Sequence, residues 1–292
     1  MSRLTAPGDR TARAAIAARL AAAGVASPEV DARRLLDEVA PERLEEAVAR
    51  RAAREPLQLI VGSVGFRYLE LDVAPGVFIP RPETEVLAGE AVARCPDGGT
   101  VVEPCTGSGA VACSVASEAR PARVLASDAD PAAVALARAN AARLGLAVEV
   151  TRGDLAEAVP GALVGAVDVL VANPPYVAEG ELAALPPEVA DHDPPAALRA
   201  GPTGHEATDA LIAVARTSLA PGGHLLLETD ERRAAETAAR ARRAGLVDVG
   251  VLPDLTGRDR VVAARQPPRG APPTPPPAAP PDAPPDAPPD AP

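Results

Sequence analysis

A chain of 292 residues is long enough for one medium-sized α/β domain with a smaller unit beside it. Its net charge of −11 disfavours broad binding to a nucleic-acid backbone, which requires clustered cations. The three cysteines form no Cys-x-x-Cys pair, which disfavours both a disulfide framework and a structural zinc site. No segment of transmembrane length is free of charge, so we expect a cytoplasmic protein that does not enter a membrane, and we expect it to be a monomer.

The first predicted unit, residues 1–53, is helical. Apolar residues recur at helical spacing around Ile16 and Leu20, and Ser27 before Pro28 is a plausible N-cap for a second helix. A segment of this length buries little core by itself. We therefore expect it to pack on the following domain or to recruit a partner.

Residues 54–90 form a predicted connector that contains a strand hairpin. Apolar and polar residues alternate from 66 to 73, as they do in a half-buried strand. Pro75 and Gly76 then form a turn, and the run from Pro80 to Glu85 opens a helix.

From residue 91 to residue 266, short apolar strands alternate with amphipathic helices. This alternation predicts a mostly parallel sheet covered by helices on both faces. The predicted strands are 101–103, 124–128, 148–151, 167–172, 224–228, 247–252 and 260–264. The predicted helices include 110–119, 131–144 and 208–219.

Residues 267–292 consist almost entirely of proline, alanine and aspartate, with a repeated Pro-Pro-Asp-Ala unit. Such a segment favours polyproline II and has little to bury. We predict a disordered tail, and the alternative is a docking motif for a proline-binding module.

A glycine-rich turn directly follows the first parallel strand and opens a helix. Glycines let the backbone pass close to a ligand, and a helix N-terminus presents free N–H groups beyond the carboxyl ends of the strands. We therefore expect a cofactor to be bound by Cys105, Thr106, Gly107, Ser108 and Gly109. Turns of this kind also serve nicotinamide and flavin sites.

Two acidic residues follow the next two strands. Asp128 can accept hydrogen bonds from both hydroxyls of a ribose, and Asp154 can reach an adenine amino group with Leu155 beside the ring. Helix capping is the alternative, and Asp130 before Pro131 fits that role better. The third glycine of the dinucleotide fingerprint is missing, which favours an adenosine ligand over a dinucleotide.

The fourth strand ends in Asn173, Pro174, Pro175 and Tyr176. The two prolines fix φ and lack N–H donors, which leaves carbonyl acceptors facing outward. The Asn173 side-chain carbonyl and the Pro174 backbone carbonyl can both accept from a planar –NH2 group, with Tyr176 as a flat surface against it. A Pro-Pro turn with a buried tyrosine is the plainer alternative.

Such a pair of acceptors suits methyl transfer to nitrogen. An amide nitrogen is a poor nucleophile because its lone pair is delocalised. Acceptors on both N–H bonds orient the nitrogen and favour positive charge on it, so no strong base is needed. We therefore predict an S-adenosylmethionine-dependent methyltransferase that acts on a planar amide or amino nitrogen.

Six sequence blocks carry a family resemblance. They are Arg-Glu-Pro-Leu-Gln at 54–58, Phe-Arg-Tyr-Leu-Glu-Leu at 66–71, the run 75–85, the loop 106–109, the tetrapeptide 173–176 and Leu-Pro-Pro-Glu-Val at 185–189. All the aromatic residues of the chain lie in these blocks: Phe66, Tyr68, Phe78 and Tyr176. Together the blocks resemble the protein-(glutamine-N5) methyltransferase family that modifies peptide-chain release factors. The tetrapeptide alone is less specific, because adenine-N6 DNA methylases share it.

The resemblance implies a seven-stranded, mostly parallel sheet of the S-adenosylmethionine methyltransferase (Rossmann-like) type. It also implies a small N-terminal helical domain that recognises the substrate. The 105–109 loop, Asp128, Leu155 and Asn173 would contact S-adenosylmethionine. Residues 173–176 would hold the glutamine of a Gly-Gly-Gln loop in a release factor, which is the expected protein partner.

Three alternatives stay open. The target glutamine could belong to a ribosomal protein, or the target could be the amino group of adenine or guanine in a nucleic acid. The latter requires an extruded base and phosphate contacts, which the acidic charge and the 81–85 block disfavour. The third alternative, a non-catalytic scaffold that displays the tail, is disfavoured by the intact tetrapeptide. We therefore expect no direct binding of nucleic acid.

Overall fold

Runs of valine, leucine and alanine form a seven-stranded sheet at the centre of the structure, a computed structural model that describes residues 7–270. The strands are β1 (Ser63–Phe66), β2 (Leu69–Asp72), β3 (Thr100–Pro104), β4 (Arg123–Asp128), β5 (Glu149–Arg152), β6 (Val167–Ala172), β7 (Leu219–Glu228), β8 (Val247–Pro253) and β9 (Asp259–Arg265). The helices are α1 (Pro7–Ala22), α2 (Pro28–Glu38), α3 (Leu44–Ala52), α4 (Leu57–Val61), α5 (Thr84–Arg94), α6 (Ala110–Glu118), α7 (Pro131–Arg143), α8 (Pro187–Ala190), α9 (Pro195–Leu198), α10 (Glu206–Ser218) and α11 (Glu231–Arg243).

The strand order of the large sheet is β5-β4-β3-β6-β7-β9-β8. The neighbours from β5 to β7 pair in parallel, and β9 pairs antiparallel with both β7 and β8. The predicted seven-stranded, mostly parallel sheet is therefore confirmed. The chain winds outward from β3 to β5 and then crosses to β6 on the other side of β3. This reversal opens a crevice beyond the carboxyl ends of β3 and β6, where open α/β sheets bind ligands.

Successive residues of the central strands pack on opposite faces of the sheet. Val101 of β3 lies in a core cluster with α5, α6 and α7, whereas Val102 lies in the cluster beneath α10. Because both faces are covered, the strands are apolar at consecutive positions, as the sequence indicates.

Strand β7 begins five residues before its predicted start at His224, so the predicted start is wrong. Leu219 pairs with Val167, and a register shift follows before His224 pairs with Val169. The proline and glycines between them resemble a loop in the sequence. The backbone nevertheless stays in the sheet because Gly222 N–H donates to the Gln266 carbonyl, at 3.0 Å.

The N-terminal helices α1 to α4 share a small core of their own. Leu20, Leu35 and Val48 are buried in it, which confirms the predicted helical N-terminal region. Pro28 occupies the first turn of α2 as predicted, but the Ser27 side chain makes no capping hydrogen bond. The boundaries 1–53, 54–90 and 91–266 remain predictions, and residues 1–6 and most of the predicted tail lie outside the described part of the chain.

The alternating run 66–73 is not one strand but the turn and second strand of a hairpin that begins at Ser63. β1 and β2 pair antiparallel, with Phe66 opposite Leu69, so the chain reverses at Arg67 and Tyr68. Arg67 adopts a φ of 51°, which turns the chain so that Phe66 is buried while Tyr68 is 83% exposed. Alternation alone could not place this turn, because it contains no glycine, proline or asparagine.

Within residues 7–270, no helix is both long enough and apolar enough to span a bilayer.

Candidate active site

A cavity of about 880 Å³ opens beyond the carboxyl ends of β3, β4, β5 and β6. Its walls contain eleven of the twelve residues predicted for the site: Cys105, Thr106, Gly107, Ser108, Asp128, Asp154, Leu155, Asn173, Pro174, Pro175 and Tyr176. Residues up to 71 positions apart in the sequence thus share one cavity because the carboxyl ends of parallel strands meet at one edge of the sheet.

The loop after β3 is held in a left-handed conformation. Cys105, Gly107 and Gly109 have φ values of 57°, 56° and 85°. A non-glycine residue at such an angle is strained and persists only where its surroundings impose it. Here the Thr106 N–H donates to the Ser127 carbonyl at 2.9 Å, which ties the loop to β4. Burial raises the pKa of the Cys105 thiol, so this residue is a neutral wall of the cavity rather than a nucleophile.

Glu103 supports the same loop from below, a role that sequence reasoning did not assign to it. One of its carboxylate oxygens accepts from the Thr106 hydroxyl at 2.6 Å and from the Ala112 N–H at 2.9 Å. Burial raises the pKa of Glu103 to about 8. The one available signal was its position directly before the glycine-rich turn.

Asp128 joins the loop to the end of β4. Its two carboxylate oxygens accept from the Gly107 N–H at 2.9 Å and from the Asp130 N–H at 3.0 Å. Each oxygen retains a further lone pair for a ligand hydroxyl. Asp130 caps α7 by accepting from the Ala132 N–H at 2.8 Å, as predicted, whereas the ligand role of Asp128 stays a prediction.

Asp154 and Leu155 lie at the start of a 3₁₀ turn after β5. The Asp154 N–H donates to a Glu157 carboxylate oxygen at 3.2 Å, and the Asp154 side chain is exposed at the cavity. Leu155 is half-buried beside it. The two side chains therefore offer an acceptor and an apolar surface next to each other.

The tetrapeptide 173–176 directly follows β6 and places one amide side chain and one aromatic ring on the cavity wall. Asn173 donates through Nδ2 to the Thr84 hydroxyl at 3.2 Å, and in the described part of the chain no group donates to its Oδ1 atom. Tyr176 is half-buried, and burial raises the pKa of its hydroxyl. The site thus presents a free amide carbonyl beside an un-ionised aromatic ring.

The segment 178–200, between the tetrapeptide and α10, closes the far side of the cavity and is held by ion pairs at three of its acidic residues. Glu181 pairs with Arg233 of α11 at 2.7 Å, and Asp193 pairs with Arg81. Glu188 accepts from Arg54, just after α3, at 2.7 Å. These contacts connect the segment to α11, to the loop before α5 and to the N-terminal helices.

Comparison with known proteins agrees with this geometry. A family model described as "Methyltransferase small domain" matches residues 74–185. A release factor glutamine methyltransferase of Mycolicibacterium smegmatis is 45% identical over 87% of this chain and 96% of its own. The chain belongs to the release factor glutamine methyltransferase family. A second member, from Streptomyces coelicolor, is 40% identical over 85% of this chain and 94% of its own.

A solved methyltransferase of Pyrococcus furiosus shares the fold. It superposes with a TM-score of 0.51 at 20% identity, over 68% of this chain and 89% of that one. At this level of identity the likeness concerns the fold alone.

The cofactor of the release factor glutamine methyltransferase family is S-adenosylmethionine, and the cavity suits it. The cavity offers Asp128 for hydroxyl groups and Leu155 for an apolar ring. Ser108 adds a buried Oγ atom that has no hydrogen-bond partner among the described residues. A polar ligand in the cavity would satisfy such an atom.

Gly109 is the one predicted cofactor contact that does not line the cavity. It faces α7 instead, where a Cβ atom would lie 3.2 Å from the Ala137 Cβ atom and 3.3 Å from its Cα atom. Gly109 therefore packs closely on α7, and its contact with the cofactor stays a prediction.

We expect Gly109→Ala to destabilise the protein by about 2–5 kcal/mol, because about 1–2 kcal/mol of left-handed strain adds to about 1–3 kcal/mol of overpacking. Urea unfolding of the full chain measures this. Gly145→Ala is the matched control, since Gly145 has a φ of 67° but a Cβ there would meet nothing within 4 Å. Equal losses in the two variants would contradict the packing role.

Proposed function

We propose that the protein transfers the methyl group of S-adenosylmethionine to the side-chain amide nitrogen of a glutamine in the Gly-Gly-Gln loop of a class I peptide-chain release factor. The observation that carries the proposal is the Asn173 amide. Its Nδ2 atom is engaged by Thr84, at 3.2 Å, which leaves Oδ1 as an acceptor in the cavity. A primary amide matches this site because it offers two N–H donors in one plane.

In this proposal the chain's own residues orient the nitrogen and stabilise the charge that develops on it. Asn173 Oδ1 accepts one N–H bond and the Pro174 carbonyl accepts the other, which aims the nitrogen lone pair at the methyl group that S-adenosylmethionine supplies when bound. Both acceptors bind more strongly as the nitrogen becomes positive, so they favour the transition state over the ground state. The proton can then leave to water.

The remaining predicted residues have supporting roles in the proposal. Tyr176 and Pro175 provide the flat wall against which the substrate amide lies. The 105–109 loop, Asp128, Asp154 and Leu155 hold the cofactor, and Asn173 contacts both ligands. The relatives named above are release factor glutamine methyltransferases by name, which favours a release factor over a ribosomal protein as the partner. We place the reaction in the cytoplasm and propose that a monomer performs it.

A nucleic-acid substrate is the second candidate, and the charges around the cavity disfavour it. Two arginines of the cavity wall, Arg81 and Arg233, are paired with Asp193 and Glu181. Cations that are already paired contribute little to binding a phosphate backbone, which depends on the release of counterions by free cations. The net charge of −11 adds to this.

Methyl labelling separates the candidates. The protein is incubated with methyl-labelled S-adenosylmethionine and, in separate reactions, purified class I release factors, ribosomal proteins, transfer RNA and DNA. We expect label on one glutamine of a release factor, located by mass spectrometry of peptides. Label on a ribosomal protein would move the target to that protein, and label on nucleic acid with none on a glutamine would overturn the proposal.

A further inference from the structure

A buried chain of polar groups lies behind the cavity wall. Thr84 opens α5, is buried, and lines the cavity next to Asn173. Glu228 ends β7 and is 2% exposed. The Asn173 amide donates to the Thr84 hydroxyl at 3.2 Å. The Glu228 carboxylate lies beside Thr84, and its Oε2 atom has no hydrogen-bond partner among the described residues. Residues from three separate parts of the fold thus form one chain of polar groups that ends in the cavity.

Which group donates each hydrogen bond in this chain of polar groups follows from the number of protons available. A hydroxyl has one proton to donate, whereas an ionised carboxylate can only accept. When Glu228 is ionised, the Thr84 proton points to it, and Thr84 can only accept from Asn173. The –NH2 end of Asn173 must then face Thr84, and Oδ1 must face the cavity.

We infer that Thr84 and Glu228 are positioning residues that select which end of the Asn173 side-chain amide is presented to the substrate. The inference rests on the proposed function, because it takes Asn173 Oδ1 as the acceptor for the substrate amide. Neither residue contacts the reacting atoms. Their contribution is to prevent a 180° flip of the Asn173 amide, which would place two donors against the two donors of the substrate.

The same donor and acceptor rules make the orientation of the Asn173 amide sensitive to pH. Burial raises the pKa of Glu228 to about 7, against the opposing effect of the Thr84 hydroxyl. A protonated Glu228 can donate to Thr84, which frees the Thr84 proton for Oδ1 of a flipped Asn173. The active orientation is therefore present above the pKa of Glu228 and is lost as the pH falls through it.

Three other charged groups lie around Glu228. Arg260 of β9 lowers its pKa, while Glu83 before α5 and Asp254 between β8 and β9 raise it. Arg260 and Asp254 face each other at 3.6 Å. Tyr176 also lies near Glu228, but burial keeps its hydroxyl un-ionised in this range. Burial outweighs these neighbouring charges in setting the pKa of Glu228.

The test is the kinetics of glutamine methylation on a purified release factor with three variants of the full chain. Thr84→Val keeps the shape but removes the hydroxyl, and we expect kcat to fall about 10- to 100-fold, or one to two units of 1.36 kcal/mol. The dissociation constant of S-adenosylmethionine should change less than about twofold. Thr84→Ser restores the hydroxyl and should recover most of the lost kcat, which a purely structural role of the threonine methyl group would not allow.

The pH dependence of kcat/KM tests the role of Glu228 independently. The wild-type kcat/KM should fall on the acid side with an apparent pKa near 7, since that profile reports groups of the free enzyme. In Glu228→Gln this acid limb should vanish. A normal kcat in Thr84→Val, or an unchanged acid limb in Glu228→Gln, would overturn the inference. Absence of glutamine methylation in the wild type would instead refute the proposed function.

Discussion

Replacing Asn173 with alanine should abolish most turnover while leaving cofactor binding nearly intact. The substitution removes one of two acceptors that strengthen as charge develops on the nitrogen, and loss of one such group typically costs about 100- to 1,000-fold in kcat. The cofactor is held mainly by the loop after β3, Asp128 and Leu155 in the proposed arrangement. We therefore expect the calorimetric dissociation constant of S-adenosylmethionine to change by less than about threefold.

Asn140→Ala is a matched control for this experiment. Asn140 is fully buried and its amide donates to the Ser108 carbonyl at 2.9 Å, so it supports the cofactor loop from α7. This variant should show the opposite pattern, with weaker cofactor binding and lower stability but a smaller loss of kcat at saturating cofactor. If cofactor affinity collapsed in Asn173→Ala as much as turnover did, the assigned role of Asn173 would be wrong.

Replacing Arg51 with methionine should cause the largest loss of stability among the changes considered. Arg51 and Asp31 form a 2.7 Å ion pair inside the N-terminal helices, with side chains 8% and 11% exposed. Removal of one partner leaves the other charge buried and unpaired, which costs about 3–5 kcal/mol. Urea unfolding of the full chain, followed by far-ultraviolet circular dichroism, measures the loss.

Two variants show whether that loss is due to a buried charge. The double variant Arg51→Met with Asp31→Leu should recover much of the stability, because replacing both members of a buried pair with apolar groups is often neutral. Arg54→Met removes a 29% exposed arginine from Glu188, which Arg51 still contacts at 3.3 Å. It should therefore cost much less stability than Arg51→Met. Equal losses in Arg51→Met and Arg54→Met would contradict this account.

The sequence was sufficient for features that repeat along the chain. Short runs of three to six residues predicted β3 to β6, and the residues after each carboxyl end predicted the cavity, because topology brings strand ends together. It failed where local pattern and tertiary pairing disagree. The glycines near residue 222 resemble a loop but lie in β7, and the alternation around Arg67 conceals a turn.

The supporting contacts of the site were also invisible in the sequence. Asn173 and Thr84 are 89 residues apart, and only the packing of α5 beside β6 brings them to 3.2 Å. Glu103 and Glu228 look like ordinary strand-end acids until burial is known, and burial is what raises the pKa of both. Side-chain networks of this kind depend on exact placement, which composition and spacing do not specify.

The scarcity of aromatic residues makes the protein suitable for spectroscopy. It has two tyrosines and no tryptophan, so tyrosine emission is not lost by energy transfer to an indole. Tyr68 is 83% exposed on the β1–β2 turn, and Tyr176 lies in the cavity wall. Incorporation of 3-fluorotyrosine would therefore give two fluorine resonances, one reporting solvent and one reporting occupancy of the cavity, without any substitution elsewhere in the chain.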